Sequence, residues 1–259
     1  MQQQLPLGID FGGSGIKAAP VDLTTGTFAA ERLRIPTPET STPDNVAAVL
    51  EQLSAAFPGD TPVGLTVPGI VRRGVIGSAA NIDESWIGTD AASLVSGVLG
   101  RPVHVLNDAD AAGLAEATYG AARGTAGLVV VTTLGTGIGG ALVHDGTLVP
   151  NAELGHLWLE LDDEVRRKHD PVAVHAESWA ANSAREREEL SWEEWARRLT
   201  VFYRALEGLF SPDLLVVGGG VSKKADKFLS MIDIRTPIVP AQLRNAAGIV
   251  GAALAASRA

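Results

Sequence analysis

The chain has 259 residues, is 46% hydrophobic, carries no cysteine and has a formal net charge of −9. That length allows one large domain or two modest ones, and the missing cysteines exclude a disulfide framework or a thiolate metal site. The acidic balance argues against a general nucleic-acid binder, so an anionic ligand must be held by local cations or backbone amides.

The N-terminus has no basic segment leading into a long apolar run, and no apolar stretch reaches the roughly 18 residues of a membrane span. Neither a signal peptide nor a membrane partner is expected, and the expected location is cytoplasmic. Residues 7–22 read LGIDFGGSGIKAAPVD. Two runs of small and β-branched residues, 7–10 and 16–21, flank a glycine cluster. They predict a β-hairpin, with the glycines supplying the positive φ values of a tight turn. Residues 43–57 have apolar residues at helical spacing with Asp44 near the start, which predicts a helix. A strand is expected over 62–67, a helix over 91–99 and a strand over 102–106. The last runs into Asn107-Asp108-Ala109-Asp110 and an alanine-rich helix over 111–119.

A second glycine segment then echoes the first. Residues 127–145 read GLVVVTTLGTGIGGALVHD, and Gly135-Thr136-Gly137-Ile138 matches Gly13-Ser14-Gly15-Ile16. The echo predicts an internal duplication into two related lobes that face one another. Residues 162–170 (DDEVRRKHD) read as a charged surface loop. Over 191–209, Trp192, Trp195, Leu199, Phe202, Leu206 and Leu209 recur every three or four residues. They define one apolar helix face, and its aromatics are read as core. A buried strand over 214–217 enters Gly218-Gly219-Gly220, and residues 245–255 form a helix of small residues. Alternating strands and helices indicate an α/β protein.

Three glycine-rich turns after strands point to phosphate, because their backbone amides form anion-binding nests. Candidate phosphate-binding residues are Gly12, Gly13, Ser14 and Gly15, then Gly135, Thr136 and Gly137, then Gly218, Gly219 and Gly220. Ser14 and Thr136 add hydroxyl donors, and Lys17 is placed to reach the transferred phosphate. Asp10, a carboxylate at the mouth of such a nest, would repel a lone phosphate. It is explained if phosphoryl transfer uses Mg²⁺, held by Asp10 through water; the plainer reading is a turn cap.

These blocks resemble the sugar kinase–actin–Hsp70 superfamily. IDFGGSGIK and TLGTGIGGAL are similar to its two phosphate motifs, NDADAAGLAE and LRNAAGIVGAA to its connecting motifs, and LLVVGGGVS to its adenosine motif. Glu153-Leu154-Gly155-His156 resembles the sugar signature of ROK-family kinases. SAANIDESW, AREREELSW, VSKKADKFL and TPIVPAQLRN look like actinobacterial polyphosphate glucokinases and polyphosphate/ATP glucomannokinases. The resemblance implies a two-lobed actin-like (ribonuclease H-like) fold with a catalytic cleft between the lobes. One lobe would take residues 1–106 plus 243–259 and the other 107–242.

It also implies roles. Asp108 matches the catalytic base, since a sugar hydroxyl needs a carboxylate to take its proton. Asn107, Glu153 and His156 match sugar ligands. Glu177, in HAESWA, is the counterpart of a further sugar-binding glutamate, and Asn81 is a further sugar-site candidate. Asp110 is read as a helix cap. Many ROK members hold a structural zinc with the signature histidine and a cysteine-rich loop. This chain has no cysteine, so no structural zinc is expected and His156 serves the sugar.

The activity implied is transfer of the terminal phosphate of polyphosphate to the 6-hydroxyl of glucose. ATP stays open as donor, and mannose stays open beside glucose. Cations available to a polyanion are Lys17, Arg72, Arg73, Lys223, Lys224 and Lys227; the basic segment Arg166, Arg167 and Lys168 is read as a solvated loop. A sugar-responsive regulator of the same family would carry a helix-turn-helix ahead of the first glycine loop, which here begins about ten residues in. A filament-forming ATPase would not need Glu-x-Gly-His. An enzyme is therefore expected, and the resemblance implies a homodimer.

Overall fold

The computed structural model describes residues 5–161 and 173–259. The loop read at 162–170, with Arg166, Arg167 and Lys168, lies outside the described residues. The chain folds as two compact units, residues up to Ala115 together with Ala246–Ala259, and Glu116–Asn245.

The first unit is built on a six-stranded sheet. Strands β1 (Leu7–Gly12) and β2 (Gly15–Asp22) form the expected hairpin. β3 (Thr27–Phe28) and β4 (Leu33–Ile35) both pair with β2. On the other side β1 runs parallel to β5 (Val63–Val67), and β5 parallel to β8 (Val103–Asn107). A small ribbon, β6 (Val71–Arg72) with β7 (Val75–Ile76), stands apart. Helices α1 (Pro43–Ala55), α2 (Ala91–Leu99) and α3 (Asp108–Tyr119) follow the sequence expectation closely. Helix α1 starts at Pro43 as expected, with Thr42 as its cap and Pro43 opening its first turn, and ends at Ala55, two residues before the expected end. The core of this unit gathers Leu7, Ile9, Phe11, Leu50, Leu65 and Trp86, all essentially buried.

The second unit repeats the pattern. β9 (Leu128–Leu134) and β10 (Ile138–His144) form a hairpin, β11 (Thr147–Val149) extends it, β14 (Leu214–Gly218) runs parallel to β9, and β15 (Ile238–Pro240) parallel to β14. Each sheet therefore holds a hairpin whose first strand is followed sideways by two parallel strands, the topology expected of a duplicated unit. β12 (Trp158–Glu160) pairs with β13 (Ala173–His175). Two short helices, α4 (Ala176–Ala180) and α5 (Asn182–Arg187), lead to α6 (Trp192–Phe210). Helix α6 begins with a reciprocal Ser191–Glu194 capping box and buries Trp195, Leu199, Phe202 and Leu206. Leu209, read on that face, is exposed. The last helix, α7 (Ala247–Arg258), belongs to the first unit.

The glycine expectation needs correcting. None of Gly12, Gly13, Gly15, Gly135 or Gly137 adopts a positive φ; of the phosphate-turn glycines only Gly219 does, at 80°. Gly13, Gly15 and Gly137 are needed for close approach rather than for handedness, whereas Gly135 faces open space. The same constraint seats α7 on its sheet. A Cβ on Gly8 would lie 2.0 Å from the Ile249 carbonyl oxygen, and one on Gly64 1.9 Å from that of Ala252. One on Gly251 would lie 1.9 Å from that of Ala111.

Gly64→Ala is therefore expected to destabilise the protein by about 3 kcal/mol, since backbone cannot yield as a flexible side chain can. Gly208→Ala, in α6 with nothing within 4 Å, is expected to stabilise it by about 0.5 to 1 kcal/mol. Equilibrium denaturation of both variants checks the contrast.

Buried Glu207 supplies a second test. Burial opposes its ionisation, but the Thr236 hydroxyl at 2.7 Å, the Thr236 amide at 2.6 Å and the Arg235 amide at 2.9 Å hold its carboxyl below the usual range. A depressed folded value means the contribution is complete above the unfolded pKa of about 4.3 and is lost as pH falls through the folded value. Glu207→Gln is expected to cost about 1 to 3 kcal/mol near neutrality. It should also flatten the loss of stability below about pH 4, measured by denaturation across pH.

Candidate active site

In the first unit, Gly13 and Ser14 span the two-residue turn between Gly12 and Gly15. The turn is held from three sides. The Thr37 hydroxyl donates to the Gly12 carbonyl at 2.6 Å, and Arg34 donates to the Ser14 carbonyl at 2.8 Å. A Cβ on Gly13 would lie 2.9 Å from the Asn81 carbonyl oxygen, and one on Gly15 2.6 Å from Arg34 Nε. Asn81 itself takes the left-handed conformation, φ 60°, which suits asparagine better than most residues. Thus Asn81, proposed from sequence as a sugar ligand, has its backbone against the first phosphate turn.

Asp10 and Lys17 face each other across the hairpin, with Lys17 Nζ 2.9 Å from Asp10 Oδ2. Thr66, on the neighbouring strand, donates to Asp10 Oδ1 at 3.1 Å. The carboxylate is partly exposed and fixed in place. Among the described residues no group of three or more His, Asp or Glu side chains could hold a metal. Magnesium asks for less: it often takes one or two carboxylates and completes its shell with water and substrate phosphate. Asp10 offers one such carboxylate, with Oδ2 engaged by Lys17 and Oδ1 by Thr66.

Strand β8 ends at Asn107, whose side chain caps α3. Its Oδ1 accepts from the amides of Ala109 at 2.8 Å and Asp110 at 3.1 Å, and its Nδ2 donates to the Gly69 carbonyl at 3.1 Å. With one amide hydrogen engaged, one remains for a ligand. Asp108, the first residue of α3, is exposed and accepts from the Ala109 amide at 2.9 Å. The helix N-terminus favours its negative charge. Asp110 is buried in the same first turn.

In the second unit the turn Gly135–Thr136–Gly137 is pinned by Ser183, whose hydroxyl donates to the Thr136 carbonyl at 2.5 Å and whose amide donates to that of Gly135 at 3.1 Å. Glu177 Oε2 accepts from the Ile138 amide at 2.9 Å and lies where a Gly137 side chain would go. Gly155 approaches the Ile138 carbonyl so closely that a Cβ would sit 2.3 Å from its oxygen. The sugar signature and the second phosphate turn therefore meet on one residue. Within the signature, Glu153 Oε2 lies 3.6 Å from His156 Nε2, and His156 Nδ1 lies 3.1 Å from His175 Nε2.

The third turn abuts the second, since a Cβ on Gly219 would meet the Leu134 backbone at 2.3 Å. It continues into a 3-10 segment, Gly220–Lys227, that carries Lys223 and Lys224. Lys223 lines a cavity of about 570 Å³ with Ala225, Val239, Ala241, Gln242 and Arg244.

Sequence reasoning missed Arg34, Thr37, Thr66, Ser183 and His175. The first three reach their partners across 20, 25 and 56 residues, without any local spacing to announce them.

The geometry can be set beside known proteins. The chain is 47% identical over 254 residues to a polyphosphate glucokinase of Mycobacterium tuberculosis, covering 98% of this chain and 91% of that protein. It superposes on the inorganic polyphosphate/ATP-glucomannokinase of Arthrobacter sp. strain KM with a TM-score of 0.88 and 50% identity, covering 99% of both chains. A ROK family glucokinase of Streptomyces griseus, solved with glucose and AMPPNP, gives a TM-score of 0.78 at 25% identity, covering 98% and 100%. The fold is α/β and of the two-lobed actin-like kind. No helix among the described residues is long and apolar enough to cross a membrane. Residues 6–168 match the ROK family, and the chain belongs to that family.

Proposed function

We propose that the protein is a polyphosphate glucokinase, transferring the terminal phosphate of inorganic polyphosphate to the 6-hydroxyl of glucose. The observation that carries this reading is the double hold on Ile138. Its amide donates to Glu177 and its carbonyl packs on Gly155 of the sugar signature, while the residue itself closes the second phosphate turn. Sugar-binding and phosphate-binding groups are thereby fixed to one strand end. The 47% identity to a mycobacterial polyphosphate glucokinase supports the donor and the sugar.

In this reading Asp108 accepts the proton of the 6-hydroxyl as that oxygen bonds to phosphorus. The bond from phosphorus to the bridging oxygen breaks, and polyphosphate leaves one unit shorter. Asn107, Glu153, His156 and Glu177 orient the sugar, with Asn81 beside the first turn. The glycine-turn amides, Ser14, Thr136 and Lys17 hold the phosphates, and Lys223 and Lys224 meet the chain beyond them. Magnesium, held by Asp10 through water, would supply charge neutralisation at the phosphate oxygens.

ATP is the proposed second donor. The cavity beside Lys223, walled by Ala225, Val239, Pro240 and Ala241, has the apolar surface a nucleoside needs. Family resemblance supports a homodimer in the cytoplasm, which sedimentation and fractionation test.

Asp108→Asn should keep the fold and glucose binding but lower turnover by about 100- to 10,000-fold, because the amide cannot take a proton. Calorimetric glucose binding together with a coupled glucose 6-phosphate assay checks this. Near wild-type turnover would remove Asp108 from the mechanism.

A further inference from the structure

Trp192 opens α6 and is only half-buried. Three cations converge on its indole. The Arg185 guanidinium carbon lies 4.3 Å from the ring centroid, Lys227 Nζ 5.8 Å and Lys224 Nζ 5.9 Å. The ring is held rigidly, stacked on Phe228 at 5.9 Å with 14° between planes and set edgewise against Trp195 at 5.9 Å.

The chemistry of this cluster is unusual for a surface. An ion pair positions a cation but neutralises it, whereas an aromatic face positions a cation and leaves its charge in place. Nearby acids offset it in part. Glu193 pairs with Arg197 at 3.0 Å, and Glu194 closes the capping box with Ser191. Glu186 lies 3.4 Å from Arg185, whose side chain is 16% exposed, so Arg185 is partly neutralised and the two lysines carry the exposed charge of the cluster. Asp226 lies between the two lysines in sequence. Lys224 and Lys227 are exposed.

The cluster is also connected to the phosphate turns. Lys224 and Lys227 belong to the 3-10 segment that leaves Gly218–Gly219–Gly220 directly. Arg185 lies on α5, whose Ser183 is bonded to the Gly135–Thr136 backbone. Two elements that start at adjacent phosphate turns thus deliver their cations to one ring.

We propose that Arg185, Lys224 and Lys227, arrayed on Trp192, form an anchoring site for the part of a long inorganic polyphosphate that extends beyond the reacting end. The inference rests on the polyphosphate reading above and adds a subsite to it. ATP, whose charge ends after three phosphates, gains nothing from this site. The cluster accordingly sets donor preference by chain length without touching the reacting phosphate.

The test is the double variant Arg185→Gln, Lys227→Gln, assayed with long-chain polyphosphate, tripolyphosphate and ATP at low and high salt. The KM for long chains should rise roughly three- to tenfold at low salt, and the effect should shrink as salt increases. The KM values for tripolyphosphate and ATP, and turnover at saturation, should stay within error. Calorimetric binding of long-chain polyphosphate without glucose should weaken in parallel.

An unchanged KM for long chains, or an equal rise for ATP, would overturn the site. So would equally tight binding of a single-stranded oligonucleotide of matching charge, which would make the patch a general polyanion surface. A wild-type enzyme that does not use polyphosphate would instead overturn the functional reading, and this inference with it. Trp192→Phe, which keeps an aromatic face, should behave as wild type if the ring only positions the cations.

Discussion

The arrangement of the second unit depends on the main chain of Ile138 being gripped from both sides. Its amide is spent on the Glu177 carboxylate at 2.9 Å, and its carbonyl oxygen lies so near Gly155 that no side chain fits there. An unpaired buried amide or carboxylate is costly, so neither partner moves freely without the other. The grip ties together the strand β10, the Glu153–His156 signature and the first turn of α4. Ser183 extends it one helix further, to the carbonyls of Gly135 and Thr136. A carboxylate read from sequence as a sugar ligand is thus also a structural bond to the phosphate turn.

The first unit reaches a comparable rigidity with different chemistry. Its glycine turn has no carboxylate beneath it; Arg34, Thr37 and the Asn81 backbone surround it instead. Two of these bonds go to turn carbonyls. Satisfying the carbonyls from outside leaves the amides as the groups still able to meet an anion. Asp10 is set apart from the turn by its pairing with Lys17 and Thr66. In the free protein the charge of this carboxylate is already balanced by a lysine across the hairpin.

The two hairpins, their glycine turns and the α/β alternation were legible because they are local. Runs of small and β-branched residues on both sides of a glycine cluster define a hairpin whatever surrounds it. The role of the glycines was misread for the same reason. Sequence shows that a side chain is absent but not whether a twisted backbone or a close neighbour excludes it; at Gly13, Gly15 and Gly137 the neighbours are Asn81, Arg34 and Glu177. Long-range partners such as Thr66, 56 residues from Asp10, carry no periodic signal at all. Trp192 shows a third limit. Helical spacing assigned it to the apolar face, and it does pack on Phe228 and Trp195, yet it also meets cations from two separate segments.

Net charge is likewise a poor guide to what binds where. A chain at −9 repels a polyanion at long range, but screening removes most of that repulsion beyond about 8 Å at physiological salt. Inside that distance the local distribution decides. Across the described surface most arginines near acids are paired, as in Arg197–Glu193, Arg187–Glu188 and Arg198–Glu188. Such pairs present little field to a ligand. Lys224 and Lys227 beside Trp192 differ, because the group that holds them in place is neutral, whereas Arg185 also pairs with Glu186. Charges placed by an aromatic ring rather than by a carboxylate can therefore stay locally positive on a protein whose overall balance is acidic.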